Sequence, residues 1–281
     1  MTIKTILITG CSSGIGKALA KACLQANFKV FASARNFAAL ADMSHPNLIP
    51  ISLDVNSNED IAQAVKVIEQ EAGYLNGIIN NAGFAAMGPV SELSTEQLQQ
   101  QFATNVFAPI ALTKAMLPLL RKAASKSQPA QVVNIGSISG ILTTPFSGAY
   151  CATKSALHSL SDALRMELKP FHIEVITVQP GGIESEFGNN SLKNLAGVIK
   201  EDFIFAPMKA NVEARATASQ ENPTPAKEFA HILLQRLQHS PKEEIRIGTG
   251  SILLPFIKKW LPTKTVDKIL SKKFGLNKLE Q

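Results

Sequence analysis

Seven short runs of apolar and β-branched residues, parted by longer segments of helical period, restrict the fold of this chain more than any other feature. The runs are 3–9, 29–34, 48–53, 77–81, 131–136, 173–179 and 244–248. Between them, apolar residues recurring three and four apart predict helices near 14–26, 57–72, 95–124, 148–170 and 226–239. Strands that are apolar along their whole length need cover on both faces, and strands parted by helices run parallel. The pattern therefore predicts an α/β fold, a doubly wound and mostly parallel sheet of seven strands in one domain. Ligands of such a sheet sit beyond the carboxyl ends of the strands. With 281 residues, 45% of them hydrophobic, the chain fills one large domain over 1–250 plus an extension over 251–281, and not two enzyme domains. Residues 186–225 break the strand–helix rhythm and are expected to pass over the ligand edge as a substrate lid.

Other classes drop out on composition. No run approaches the roughly 20 uncharged apolar residues of a membrane span, and the apolar start lacks a signal-peptide cleavage pattern. Cys11, Cys23 and Cys151 form neither a disulfide framework nor a metal-ligand spacing, so reduced thiols and a cytoplasmic setting are expected. The net charge of +6 would invite a nucleic-acid partner, but its location does not. Seven lysines against Asp267 and Glu280 put +5 in residues 251–281, which leaves +1 for the rest.

The turn after the first run is Thr9-Gly10-Cys11-Ser12-Ser13-Gly14-Ile15-Gly16. Glycines let a backbone turn tightly against a pyrophosphate, and the following helix offers free N–H groups and the positive end of its dipole. An ordinary strand-to-helix loop is the plain alternative; the strand before and the helical pattern after weigh against it. The spacing, Gly-x-x-x-Gly-x-Gly, resembles that of the short-chain dehydrogenase/reductase family, which implies a Rossmann-type fold and a nicotinamide cofactor. At the end of the second run, Ala34 stands where a carboxylate would select NAD, and Arg35 follows. A guanidinium there can pair with the 2′-phosphate of NADP, so NADP(H) is favoured over NAD(H), although a solvated surface arginine would read the same.

The most specific signal is Tyr150 with Lys154 one helical turn on and Ser137 thirteen residues upstream. Four residues along a helix rise about 6 Å and return to the same face, so phenol and ammonium project together. A positive charge at about 4 Å would bring a phenol of ordinary pKa about 10 down by roughly three units. Tyr-x-x-x-Lys alone is common on structural helices; its conjunction with the glycine turn and Ser137 is not. Asn80-Asn81-Ala82-Gly83, Thr104-Asn105-Val106 and Pro180-Gly181-Gly182-Ile183-Glu184-Ser185 fit the same family in content and order, and the resemblance covers residues 3 to about 190.

By that resemblance Tyr150 would exchange a proton with the substrate oxygen and Ser137 would hydrogen-bond it. Lys154 would hold the nicotinamide ribose and lower the tyrosine pKa, and Asn105 would support a water-linked proton relay. Cofactor contacts would come from Gly10, Ser12, Ser13, Gly14, Ile15, Gly16, Arg35, Asp54, Val55, Asn81, Ala82, Gly83, Pro180, Gly181, Ile183 and Ser185, beside Tyr150 and Lys154. Asp54 would bond the adenine amino group, and Ser185 stands where the family usually has threonine. No metal is implied, since His45, His158, His172, His231 and His239 lack mutual ligand spacing and read as surface or packing.

The wording around Tyr150 looks most like members acting on steroids, retinoids and other lipid-like alcohols or ketones. Pro145, Phe146, Met87, Phe187, Phe203, Phe205 and Met208 could line an apolar pocket or simply pack. Two alternatives stand beside an NADP(H)-dependent oxidoreductase with a small apolar substrate: a 3-oxoacyl-thioester reductase, and a non-catalytic NADP-binding redox-sensing regulator. The family also implies a homodimer or homotetramer built from the helices at 95–124 and 148–170. In the extension, Ile252, Leu253, Phe256, Ile257 and Trp260 share one helical face, with lysines on other sides. That pattern suits peripheral membrane contact, a cover for the substrate mouth, or a subunit interface.

Overall fold

The computed structural model describes residues 3–195, 204–239 and 241–279. Its strands are β1 (Thr5–Ile8), β2 (Lys29–Ala34), β3 (Leu48–Ser52), β4 (Gly77–Asn80), β5 (Ala130–Ile135), β6 (Ile173–Pro180) and β7 (Glu244–Ile247). They form one sheet in the order β3-β2-β1-β4-β5-β6-β7, and every pairing is parallel. The order reverses between β1 and β4, which opens a crevice at their carboxyl ends.

The flanking helices are α1 (Gly14–Gln25), α2 (Asn58–Glu71), α3 (Thr95–Phe102), α4 (Ala108–Ala123), α5 (Gly148–Leu168), α6 (Phe187–Asn194), α7 (Lys209–Thr217), α8 (Ala226–His239), α9 (Leu253–Trp260) and α10 (Thr263–Lys273). Their starts follow local chemistry. The Ser57 hydroxyl accepts the Asp60 N–H to open α2, and Ser94 with Gln97 forms a reciprocal capping box on α3. The helix expected over 95–124 is present but interrupted, since Ala103–Phe107 is a π turn.

Strand residues alternate between two cores. Ile6, Ile8, Val30, Ala32 and Ile79 pack with Leu19 of α1 and Phe229 and Leu233 of α8. Leu7, Phe31, Ile78, Val132 and Val175 pack with Ile61 and Ile68 of α2 and with Leu112, Met116 and Leu119 of α4. The sheet is thus dry on both sides, as fully apolar strands require. Contrary to the reading of the sequence, the stretch Thr95–Ala123 meets the length and hydropathy of a membrane span, but half of its most apolar window is buried against this second core.

A third apolar cluster lies beyond the carboxyl edge. It gathers Phe146 and Ala149 before and within α5, Leu195, Met208, Val212 and Ala216 of the 186–225 segment, and Phe274 of the extension. Phe203 and the rest of 196–203 lie outside the described residues.

Phe229 is wholly buried between α8 and the sheet. Phe229→Ala should cost about 3–5 kcal/mol, read as a lowered urea midpoint at unchanged m-value.

Candidate active site

The turn after β1 is fixed from β4. The Thr9 hydroxyl accepts the N–H groups of Asn81 and Ala82, both at 3.0 Å, while Asn81 Nδ2 donates to the carbonyls of Thr9 (2.8 Å) and Gly10 (3.3 Å). Gly10 and Gly14 have φ of +71° and +53°, which favour glycine. A Cβ on Gly16 would run into the Gly10 carbonyl oxygen, and one on Gly14 would stand 2.9 Å from Ser185 Cβ. The glycine turn and the loop after β6 therefore face each other closely.

This cradle fits a dinucleotide. Ser13 caps α1 in extended backbone without using its side chain, and no carboxylate occupies the first turn, so the N–H groups meet no internal anion. Ser12 is exposed, while Ser13 and Ile15 are half-buried, Ile15 against the first core. Ala34 is buried at the end of β2; Arg35 is exposed and makes no ion pair among the described residues. Asp54 accepts the Asn56 N–H through Oδ1 (2.9 Å), and Val55 is buried in the second core. Pro180 ends β6, Gly181 donates to the Ile247 carbonyl at 2.9 Å, and Ile183 is buried in the first core. Ser185 Oγ donates to the Ile183 carbonyl (3.3 Å).

Tyr150, Lys154 and Ser137 come together on α5 and the end of β5. Ser137 favours the ionised form of the phenol, and the tyrosine ring lies 5.3 Å from that of Phe187, centroid to centroid. Lys154 Nζ donates to the Ile135 carbonyl at 2.7 Å and stands 5.7 Å from the tyrosine ring centroid. Burial dominates both groups. It pushes the Tyr150 phenol up to about 12, with Ser137 pulling the other way, and takes the Lys154 ammonium down to about 8. The expected lowering by lysine is not what these protein groups produce: the ammonium donates to the Ile135 carbonyl, and the charge that favours the phenolate is that of Arg215.

Asn105 sits in the π turn, a feature that recurs at functional sites. Its amide accepts the Phe84 N–H (3.1 Å) and donates to the Phe84 carbonyl (2.9 Å) and to Thr153 Oγ1 (3.1 Å). Pro109 has no N–H, so the Asn105 carbonyl lacks an α-helical donor four residues on. A Cβ on Gly83 would come within 3.0 Å of Asn105 Oδ1.

Several residues here escaped the sequence reading. His158 does pack, as expected of it, but beneath the reacting loop: its Nε2 accepts the Ser137 N–H at 3.3 Å, and any Cβ on Gly136 or Gly140 would strike its ring. Lys154 and His158 lie four residues apart on one helix face, a signal that was available. Arg215 of α7 is buried and bonds the hydroxyls of Thr144 (2.8 Å) and Ser147 (3.0 Å); its charge favours the Tyr150 phenolate. Gln220 accepts the Ser185 N–H (3.1 Å) and donates to the Ile183 carbonyl (3.1 Å). No local pattern marks either of these two.

Comparison with known proteins defines the class. The family model for short chain dehydrogenases matches residues 4–196, and the chain belongs to the short-chain dehydrogenase/reductase family. It is 33% identical over 268 residues to the uncharacterized oxidoreductase YbbO of Escherichia coli, covering 95% of this chain and 94% of the relative. The 3-ketodihydrosphingosine reductase of Bacteroides thetaiotaomicron is 31% identical over 96% of this chain and 97% of its own. The NADPH-dependent 3-dehydrocapnine reductase of Ornithobacterium rhinotracheale is 29% identical over 98% of each.

Among solved structures, a short-chain dehydrogenase from Streptomyces avermitilis superposes with TM-score 0.77 at 28% identity, over 100% of this chain and 98% of that one. A Burkholderia cenocepacia short chain dehydrogenase in complex with NADP gives 0.72 at 22% identity, over 96% and 99%. The chain is thus an oxidoreductase enzyme acting on CH–OH or C=O groups, and the reading as a non-catalytic regulator is set aside.

Burial holds His158 down at about 4 against an ordinary 6.5, with Lys154 adding repulsion. Between those values the unfolded chain binds the extra proton, so stability is lost as pH falls from about 6.5 towards 4, by about 3 kcal/mol. Urea unfolding across that range should show the slope, and His158→Gln should flatten it.

Proposed function

We propose that the chain is an NADP(H)-dependent oxidoreductase that moves a hydride between nicotinamide and the hydroxyl or carbonyl carbon of an apolar, lipid-like substrate. The observation that carries the reading is Tyr150, a half-buried phenol whose ionised form Ser137 favours and whose ring packs on an apolar cluster with Phe187, Phe146, Met208 and Val212. A polar oxygen anchored in apolar walls is the design of a site for a largely apolar molecule with one reacting oxygen.

The bound nicotinamide supplies the hydride chemistry; the chain's residues supply orientation and the proton. Ser137 donates to the substrate oxygen and fixes it beside the phenol. A phenol held near 12 is protonated at neutral pH, so it serves directly as the acid that quenches a developing alkoxide. The reverse direction needs a phenolate, and the charges of Lys154 and Arg215 are the groups available to support one. The protonation of the site therefore favours reduction of a carbonyl. Asn105, in the π turn, supports the water that returns a proton to Lys154 and Tyr150.

Gly10, Ser12, Ser13, Gly14, Ile15 and Gly16 would hold the pyrophosphate, Asp54 and Val55 the adenine, and Asn81, Ala82 and Gly83 the adjoining ribose. Pro180, Gly181, Ile183 and Ser185 would face the carboxamide. Arg35 beside Ala34 supports the 2′-phosphate of NADP, in line with a relative described as NADPH-dependent. The 186–225 segment acts as the lid, with α6 and α7 contributing Phe187, Met208 and Val212 to the pocket. A homodimer or homotetramer would form through α4 and α5, where Phe107 just before α4 and Leu160 and Met166 of α5 are exposed.

Ketone reduction by the full chain, followed through NADPH absorbance, tests this reading across steroid, retinoid, long-chain ketone and 3-oxoacyl-thioester substrates. Tyr150→Phe should lower kcat by about two to four orders of magnitude and leave NADPH binding intact. Turnover that survives the substitution would exclude Tyr150 as the proton donor. Arg35→Asp should move the preference from NADPH towards NADH by roughly ten- to a hundredfold in kcat/KM.

A further inference from the structure

The first helix of the carboxy-terminal extension, α9, is built inside out. At about 100° per residue, Ile252, Leu253, Phe256 and Trp260 fall within one arc of roughly 100° on α9. A helix packing on a core turns such an arc inward; here it faces outward, with exposures of 75%, 61%, 59% and 64%. The inward side carries Pro255 instead, which is buried. The Phe256 and Trp260 rings touch at 6.1 Å and make a continuous aromatic edge.

All seven lysines of the extension are exposed, and none forms an ion pair among the described residues. Lys264, Lys268 and Lys272 repeat every fourth residue along α10, a like-charge stripe that works against its own helix. Apolar side chains beside unpaired cations match one surface, the boundary of a bilayer with anionic headgroups. A second copy of this chain fits poorly, because pairing this face with itself would set lysine stripes together.

The other side of the extension reaches the reaction centre. Phe274 is buried and lies 5.7 Å from the Arg215 guanidinium, and Phe274, Leu270 and Leu276 belong to the same apolar cluster as Tyr150 and Phe187. We propose that residues 251–279 dock the enzyme on anionic membranes through the outward face of α9 and the lysines of α10. Docking presents the Tyr150 pocket to ketones dissolved in the bilayer. The second half rests on the function proposed above, while the docking itself does not.

Trp260 is the only tryptophan in the chain and reports docking directly. The full-length protein is mixed with phosphatidylcholine vesicles with or without phosphatidylserine, then sedimented, with Trp260 emission recorded. Co-sedimentation and a blue shift with the anionic vesicles, weakened by salt, are expected. The double variant Ile252→Ser, Phe256→Ser and the triple variant Lys264→Glu, Lys268→Glu, Lys272→Glu should each lose roughly tenfold or more in partitioning. Both should keep their turnover of a water-soluble ketone and lose turnover of a vesicle-embedded one.

Unshifted emission with the protein left in the supernatant would overturn docking. So would a blue shift that depends on protein concentration and needs no vesicles, since the occupant would then be another copy. Docking that persists in Tyr150→Phe while all ketone turnover is absent from the parent protein would sustain the membrane surface and sink the proposed reaction, so the two failures are separable.

Discussion

The site depends on how α5 is pinned to the end of β5. Lys154, His158 and Ser161 follow one another on the inner face of this helix, and each meets a group at the carboxyl end of the strand. Lys154 donates to the Ile135 carbonyl, His158 accepts the Ser137 N–H, and Ser161 accepts from Asn134 Nδ2 at 2.8 Å. Asn134 in turn accepts from Asn80 Nδ2 at 2.8 Å, which joins β4 to the chain of bonds. Directional bonds of this kind leave α5 little freedom to slide or turn, and in a dry interior breaking one leaves a buried polar group without a partner. Tyr150 sits one turn before Lys154 on the same face, so the phenol inherits its position from these anchors.

The strands were legible in the sequence because their chemistry is local. The inner strands β1, β4, β5 and β6 and all but the first residue of β2 are buried almost throughout, so each shows as an apolar run whatever lies next to it. The juxtaposition of Ser137, Tyr150 and Lys154, for which a catalytic role is proposed, was legible for a similar reason: spacing on a helix and adjacency to a strand end determine where those side chains point. The π turn was not. Apolar positions in 95–124 keep a helical rhythm with or without one widened turn, and only Pro109 hints at the break. Arg215, Gln220 and Phe274 reach the site from 65 or more residues beyond Tyr150 or from a different loop, through packing that no periodicity encodes.

The 186–225 segment and the extension share one apolar cluster with the tyrosine ring. Met208 and Val212 come from the 186–225 segment and Phe274 from the extension, so the two segments pack in part on each other. Arg215 stands between them, bonded to Thr144 and Ser147 at the start of α5 and stacked on Phe274. A displacement of the extension would therefore be felt at the amino end of the helix that carries Tyr150.

Burial sets the resting charge of the site, and the cost of that burial indicates what the site is made to receive. Lys154 falls to about 8 from an ordinary 10.5, so below about pH 8 the folded chain carries an ammonium it holds less easily than the unfolded chain does. That penalty, about 3 kcal/mol, is relieved only as pH rises from about 8 towards 10.5. Arg215 is a second buried cation, its pKa lowered by the same desolvation, and its partners are neutral hydroxyls. Tyr150 shifts the opposite way and stays neutral. Two buried cations near a neutral phenol make the pocket positive and poorly solvated. Negative charge that develops at a substrate oxygen there meets fixed, preorganised charges in a low-dielectric setting, where they act most strongly. For the carbonyl reduction proposed above, the same desolvation that makes the folded site costly favours the transition state over the ground state, since the opposite charge appears only as the carbonyl is reduced.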